Sequence, residues 1–388
     1  MYYFILFAFL VSLTLRGNLL ILDQQLSIMA SSPAQSPSTL KPYKEECSHK
    51  PRFKRNLGGI CFFNATTEIL HRIYCNEAFR KTLLTVPSTA MDNDSIFRRI
   101  TIQMLQDYEN QQINDIQFAE NYDIYAATVA SLNIKRFNIC ENKGGFPSII
   151  LPDILNRLTG KSKDHINITN VNNTSDFPIR IITLLGSRDS SALYKQSKSF
   201  TTMLEEDLFE FTVSNDYDRW RIEPFDWPPL LLISFDGFKM MMTFNAYEKN
   251  KQQPYKPFTF PEIFDITKCF LDLSYLPAKQ YPKLNPVYYR LCAIIMQSPQ
   301  HASSIIRHNT HWYWSSDEYI AQYSDTFIID INRKLQENAP KGNVLFFRKG
   351  GDLKLLSDDQ QAIVTIRPQE ARFSFPALPA TFLYERVD

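Results

Sequence analysis

Apolar residues recur at three- and four-residue spacing over Asn64–Tyr74, Ser95–Tyr108 and Asp123–Ser131. That period predicts helices in the first third of the chain. Farther on the pattern changes. Leu230–Phe235, Phe238–Phe244, Tyr288–Met296, Ser303–Arg307 and Val344–Phe347 are short runs rich in Ile, Phe, Leu and Tyr, lengths and types that suit buried strands. Helices first and strands later predict an α+β domain. Residues 160–175 are polar and Asn-rich and read as an exposed loop, and no internal repeat is found.

The first residues follow a different pattern. Tyr2 to Leu15 is apolar except for Ser12 and Thr14, and a second short run, Leu19 to Leu22, follows Arg16-Gly17-Asn18. The first run suits the apolar region of a secretory signal peptide, although no basic residue precedes it. The two runs together reach membrane-spanning length, but Arg16 would then cost about 2.5–3.5 kcal/mol inside the bilayer. Signal peptide, membrane anchor through residues 2–22 and a misassigned start all stay open. Residues 30–50, with Ser31-Ser32-Pro33 and Ser36-Pro37-Ser38, read as a disordered linker. The expected organisation is 1–29 signal peptide or anchor, 30–50 linker, 51–349 one globular domain and 350–388 a C-terminal extension, with a domain running to 388 as the alternative.

Composition narrows the function classes. Lys and Arg number 42 against 41 Asp and Glu, a net charge of +1, and no basic stripe is seen. A nucleic-acid partner is therefore not expected, because phosphate binding needs concentrated positive charge. The chain has 11 glycines and neither a GxGxxG nor a GxxxxGK[ST] sequence, which argues against a nucleotide-binding loop. Its cysteines, Cys47, Cys61, Cys75, Cys140, Cys269 and Cys292, form no CxxC pair, and Cys47-x-His49 has no second pair to complete a metal site. No metal and no cofactor are expected. A disulfide framework is not expected either, since a chain this long does not need covalent staples.

The stretch Asn56-Leu57-Gly58-Gly59-Ile60-Cys61-Phe62-Phe63-Asn64 is a glycine-containing loop running into a helix, with a cysteine at the junction. A helix N-terminus carries about half a positive charge. That field favours thiolate and is expected to lower the thiol pKa from about 8.5. The glycines allow a sharp turn and leave N–H groups free to face a reacting carbonyl. Such a cysteine is a candidate nucleophile. Taken alone, the same stretch also fits a buried cysteine in an ordinary helix.

Asn56, Gly58, Cys61 and Asn64 match the cysteine box of the ubiquitin-specific proteases, Asn-x-Gly-Asn-Thr-Cys-Tyr-x-Asn, and Phe62 stands for its Tyr. Gly59-Ile60 departs from it. Pro228-Pro229-Leu230-Leu231-Leu232-Ile233-Ser234-Phe235, Lys256-Pro257-Phe258-Thr259-Phe260-Pro261 and Phe264-Asp265-Ile266 resemble that family's central strands. Tyr289-Arg290-Leu291-Cys292-Ala293-Ile294-Ile295, Gln300-His301-Ala302 and Trp312-Tyr313-Trp314-Ser315-Ser316-Asp317 resemble its histidine box. The resemblance covers about 51–349. It implies a papain-like cysteine protease fold with a helical thumb and a β-rich palm and fingers. It implies Cys61 as nucleophile, Asn56 as oxyanion-hole donor, His301 as general base, and Ser316 or Asp317 as the partner of the imidazole. His311 and a register placing Asn343 at the histidine position stay open as alternatives. Gln300 and Ala302 replace the usual Gly and Tyr, only Asp123 is kept of the usual Gln-Asp-Ala-x-Glu-Phe helix, and the zinc-binding CxxC pairs are missing.

What the resemblance implies is a thiol-dependent deubiquitinase, a cysteine-type ubiquitin C-terminal hydrolase, with ubiquitin or a ubiquitin-like modifier as partner. The alternatives are a catalytically inactive ubiquitin-binding pseudoprotease and a secreted interaction protein reusing the fold. Compartment stays undecided: the family is cytosolic, whereas the N-terminus points to a membrane or the secretory pathway. Asn-x-Ser/Thr sequons occur at Asn64, Asn93, Asn167, Asn172 and Asn173. A glycan on Asn64 would obstruct the cysteine loop.

Overall fold

The computed structural model describes residues 50–56, 59–85, 92–134, 137, 145–160, 178–184, 228–235, 260–266, 286–297, 301–317, 319–338, 345–347, 354–355 and 375–387. The chain divides into the units Met1–Lys44 and Glu45–Asp388, and every described residue belongs to the second. The N-terminal apolar runs, nearly all of the 30–50 linker and of the 160–175 loop, the run Phe238–Phe244 and Asn343 lie outside the described residues. Among the described residues no helix is long and apolar enough to cross a membrane.

Helices α1 (Cys61–Tyr74), α2 (Glu77–Thr85), α3 (Asn93–Glu109), α4 (Asp115–Ser131) and α5 (Pro147–Thr159) precede the first described strand. The predicted helices are thus present with longer bounds, and α2 and α5 are additional. Local chemistry sets several ends. The Asp92 side chain accepts from Ser95 N–H, and Asn114 from Gln117 N–H, each at 2.9 Å. These caps satisfy N–H groups that a helix start otherwise leaves bare. Helix α5 opens on Pro147, where a missing N–H costs nothing, and closes on Gly160 at φ 64°. Helix α1 is buried on almost every side, Arg72 excepted. It packs against α5 and against the sheet, as a helix apolar nearly all round must.

The strands are β1 (Ile179–Leu184), β2 (Leu230–Phe235), β3 (Ile263–Asp265), β4 (Tyr288–Gln297), β5 (Ala302–His308), β6 (His311–Ser316), β7 (Tyr319–Tyr323), β8 (Leu345–Phe347), β9 (Lys354–Leu355) and β10 (Phe375–Val387), with helix α6 (Phe327–Asn338) between β7 and β8. The main sheet runs β1-β2-β10-β4-β5-β6-β7, with β3 on β4 and β8 on β10. The β1–β2 pair is parallel and the other described pairs are antiparallel. The fold is a mixture of helices and a largely antiparallel sheet. β10, which lies beyond residue 349, sits between β2 and β4, with Thr381 opposite both Ser234 and Ile295. Ile69, Leu70 and Ile73 of α1 join Ile154, Leu155 and Leu158 of α5 and Ala293 and Ile295 of β4 in one core. Arg72 Nη2 reaches Glu385 of β10 at 2.8 Å, a polar tie between α1 and the middle of the sheet.

Candidate active site

The turn into α1 rests on Gly59, whose φ of +84° is strained for any residue with a Cβ. The Ile60 carbonyl then accepts from Phe63 N–H at 2.8 Å and Asn64 N–H at 2.9 Å, and Cys61 is the first helical residue. Cys61 is a free thiol, 7% exposed. Cys61, Asn64 and Glu68 lie three and seven positions apart and so share one helix face. That face meets β5 and β6. The Ala302 N–H lies near enough to the Cys61 sulfur to favour its charged form, Asn64 Nδ2 donates to Asp317 Oδ1 at 2.6 Å, and Ser315 Oγ donates to Glu68 Oε1 at 3.4 Å.

His301 immediately precedes β5, next to the residue whose N–H lies near the thiol. Its Nε2 lies 2.7 Å from Ser316 Oγ. The β5–β6 hairpin explains the pairing. His308 pairs with His311 across a tight turn in which Asn309 takes φ 53°, and Ser304 pairs with Ser315. One step farther Ser316 opposes Ser303, two residues from His301, so the two side chains meet on one face. His311 is exposed at the opposite end of β6, where its Nδ1 lies 3.2 Å from Thr310 Oγ1.

Burial pushes the Cys61 thiol up to about 11, and the nearby Asp317 carboxylate pushes it in the same direction. The N–H groups of Ala302, Phe62 and Cys61 itself act the other way without prevailing. The expected depression by the helix terminus is therefore overturned. Removing a thiolate from water outweighs the pull of a few helix-end N–H groups when the sulfur is nearly sealed.

Asn64, seen in the sequence only as a cysteine-box match and a sequon, is 2% exposed. Its Nδ2 also donates to the Arg55 carbonyl at 3.2 Å, and its Oδ1 is buried without a protein partner. A glycan would have to attach to that same buried nitrogen, so the folded protein offers no acceptor there.

The segment 50–56 is fixed by a series of basic side chains. Arg52 N–H donates to Tyr108 Oη at 2.8 Å, and its guanidinium reaches the carbonyls of Asp107 and Ile113. Arg55 pairs with Asp123 of α4 at 2.9 Å. Lys54 N–H donates to the Asp317 carbonyl at 3.2 Å, while Lys54 Nζ pairs with Glu68 in an ion pair with both side chains at most 2% exposed. Tyr108 Oη donates to the second Glu68 oxygen. Burial pulls Lys54 down and Glu68 opposes that pull, while burial and Glu68 together drive Tyr108 well up. Asn56, the next residue, is exposed.

His71, Cys75 and Glu109 place ligand atoms within 4.8 Å of one another. Cys75, however, is disulfide-bonded, so its sulfur is no thiolate ligand. Cys75 thus takes part in one disulfide, whereas the sequence argued only against a disulfide framework. Cys61 and Cys292 are free thiols. Scattered single cysteines carry no pairing signal, because connectivity depends on the fold and not on spacing.

No family model matches the chain, and no curated protein matches it. Solved structures do. The SAGA Ubp8/Sgf11/Sus1/Sgf73 DUB module bound to ubiquitin aldehyde matches with TM-score 0.46 and 11% identity over 90% of this chain and 72% of that one. The same module with a cysteine-to-alanine Ubp8, bound to monoubiquitin, matches with TM-score 0.45 and 10% identity over 95% and 76%. A further structure of the SAGA Ubp8/Sgf11/Sus1/Sgf73 DUB module matches with TM-score 0.42 and 8% identity over 90% and 71%.

Proposed function

We propose that the protein is a thiol-dependent hydrolase that cleaves the bond after the C-terminal glycine of ubiquitin or a ubiquitin-like modifier. The observation that carries this reading is local. Cys61, at the head of a helix that packs on β5, is close to the N–H of the residue that follows His301, and His301 is hydrogen-bonded to Ser316. The orienting group is thus hydrogen-bonded to the base, and the nucleophile lies near the residue that follows the base, which supports a covalent thiol mechanism. The cysteine-box and histidine-box resemblance supplies the substrate class.

In this mechanism Cys61 attacks the glycine carbonyl as its thiol proton passes to His301. The tetrahedral oxyanion is held by the Asn56 amide. The amine leaves with the proton from His301, and a water deprotonated by the same ring releases the modifier. With Nε2 engaged by Ser316, Nδ1 is the nitrogen that carries the proton. A thiol held near 11 is not ionised at rest. Proton removal and attack are therefore coupled, as in general-base catalysis.

The second reading, a ubiquitin-binding module without hydrolysis, is favoured by that raised thiol and by a serine where a carboxylate would stabilise imidazolium. A ubiquitin carrying a C-terminal vinyl electrophile separates them. Labelling of wild type, lost in Cys61→Ala, is the expected result. Binding of ubiquitin without labelling would assign the second reading, and neither binding nor labelling would overturn both.

A further inference from the structure

Asn64 has contacts that the proposed reaction does not yet use. Its buried Nδ2 donates to the Arg55 carbonyl and to the Asp317 carboxylate at once. Arg55 immediately precedes Asn56, Asp317 immediately follows Ser316, and Asn64 stands one helical turn from Cys61 on the same face. A single amide therefore joins the three segments that present the proposed oxyanion donor, the nucleophile and the partner of the base. The Lys54 N–H to Asp317 carbonyl bond and the Lys54–Glu68 pair tie the same segments a second time, deeper in the protein.

We propose that Asn64 is a positioning residue: it couples the Asn56 segment, the head of α1 and the Ser316–Asp317 turn, and it fixes the Asp317 carboxylate beside the Cys61 thiol. The inference rests on the hydrolase reading for its catalytic consequence but not for its geometry. Donor direction matters in it. The amide must give two hydrogen bonds, one to a carbonyl and one to a carboxylate, and an aspartate at 64 could give only one, and only when protonated. Among the described residues, the charged group that acts on the thiol is Asp317 from the β6–β7 turn, while Lys54 and Glu68 pair with each other deeper along α1 and His301 stands ahead of β5 against Ser316.

The test uses the full chain and two readouts: labelling by the ubiquitin vinyl electrophile, and alkylation of Cys61 by iodoacetamide followed by peptide mass spectrometry. Asn64→Asp sets two carboxylates against each other near the thiol. Both rates should fall about tenfold at pH 8, the ratio for one pKa unit, and the deficit should narrow at pH 6 as one carboxyl takes up a proton. The exchange Asn64→Asp with Asp317→Asn restores a donor–acceptor pair between positions 64 and 317 but leaves the Arg55 carbonyl without its donor, so it should recover most of the alkylation rate and only part of the labelling rate, even if the melting temperature stays low. Recovery of stability without recovery of rate would reduce Asn64 to an ordinary packing residue and overturn the proposal. If Asn64→Asp does not fold, Asp317→Asn, which keeps shape and hydrogen bond, should speed alkylation several-fold at pH 8, and an unchanged rate would overturn it. If wild type is never labelled by the ubiquitin probe, the hydrolase reading fails while the alkylation series still decides the role of Asn64.

Discussion

His301 Nε2 lies 2.7 Å from Ser316 Oγ, so a neutral hydroxyl stands where a carboxylate would add charge to the pair. A hydroxyl can fix the ring's tautomer and direction but cannot stabilise imidazolium electrostatically. Ser316→Ala should lower the rate of turnover or probe labelling roughly fivefold, the value of about 1 kcal/mol for one hydrogen bond. Ser316→Asp should raise the imidazole pKa, read from the His301 ring resonances in an NMR titration. A ring that titrates identically in both variants would show that the Ser316 contact does not govern it.

The thiol gives a second prediction. With the folded thiol pushed up to about 11, well above its ordinary value, alkylation of Cys61 in the resting protein should rise about tenfold per pH unit through pH 8 to 10. The linkage sign follows. The folded state holds this proton more tightly than the unfolded state, so the contribution is fully present below pH 9 and is lost as pH rises toward 11. A plateau in alkylation below pH 8 would contradict the burial argument.

The Lys54–Glu68 pair predicts a stability cycle. Breaking a buried ion pair leaves an uncompensated charge and costs about 3–5 kcal/mol, whereas replacing both partners with apolar groups is far milder. Lys54→Met and Glu68→Leu should each destabilise strongly, and the double variant should be more stable than either single one in urea titrations. The Glu68 change also strips Tyr108 of its acceptor, so it should be the worse single variant.

Packing against the cysteine helix gives a fourth. A Cβ on Gly145 would lie 2.6 Å from Phe62 Cε2 and 2.8 Å from Ile150 Cδ1. Gly145→Ala should therefore lower stability by about 1–3 kcal/mol, the range for overpacking a core. Gly59→Ala meets no atom but carries the positive φ, so any loss there measures backbone strain at the turn into Cys61.

Periodicity found α1, α3 and α4 and strands β2, β4 and β5, because each buries a regular stripe or run, and the apolar run Val344–Phe347 marked β8. It missed α5, where Pro152 interrupts the pattern and reads as a breaker, although Pro147 and Gly160 mark its ends. It also missed α6, a short helix between strand-rich segments. The proximity of Cys61 to the start of β5 had no signal in local pattern and came only from resemblance. The thiol's raised pKa and the role of Asn64 depend on burial and on contacts across the chain. Spacing carries neither.

The most direct measurement is hydrolysis of a ubiquitin C-terminal fluorogenic amide by wild type, Cys61→Ala and His301→Ala, with folding of each verified by circular dichroism. Release by wild type and loss of it in both variants is the predicted result. Release that survives removal of the Cys61 sulfur, or no release from a folded wild-type protein, would contradict it.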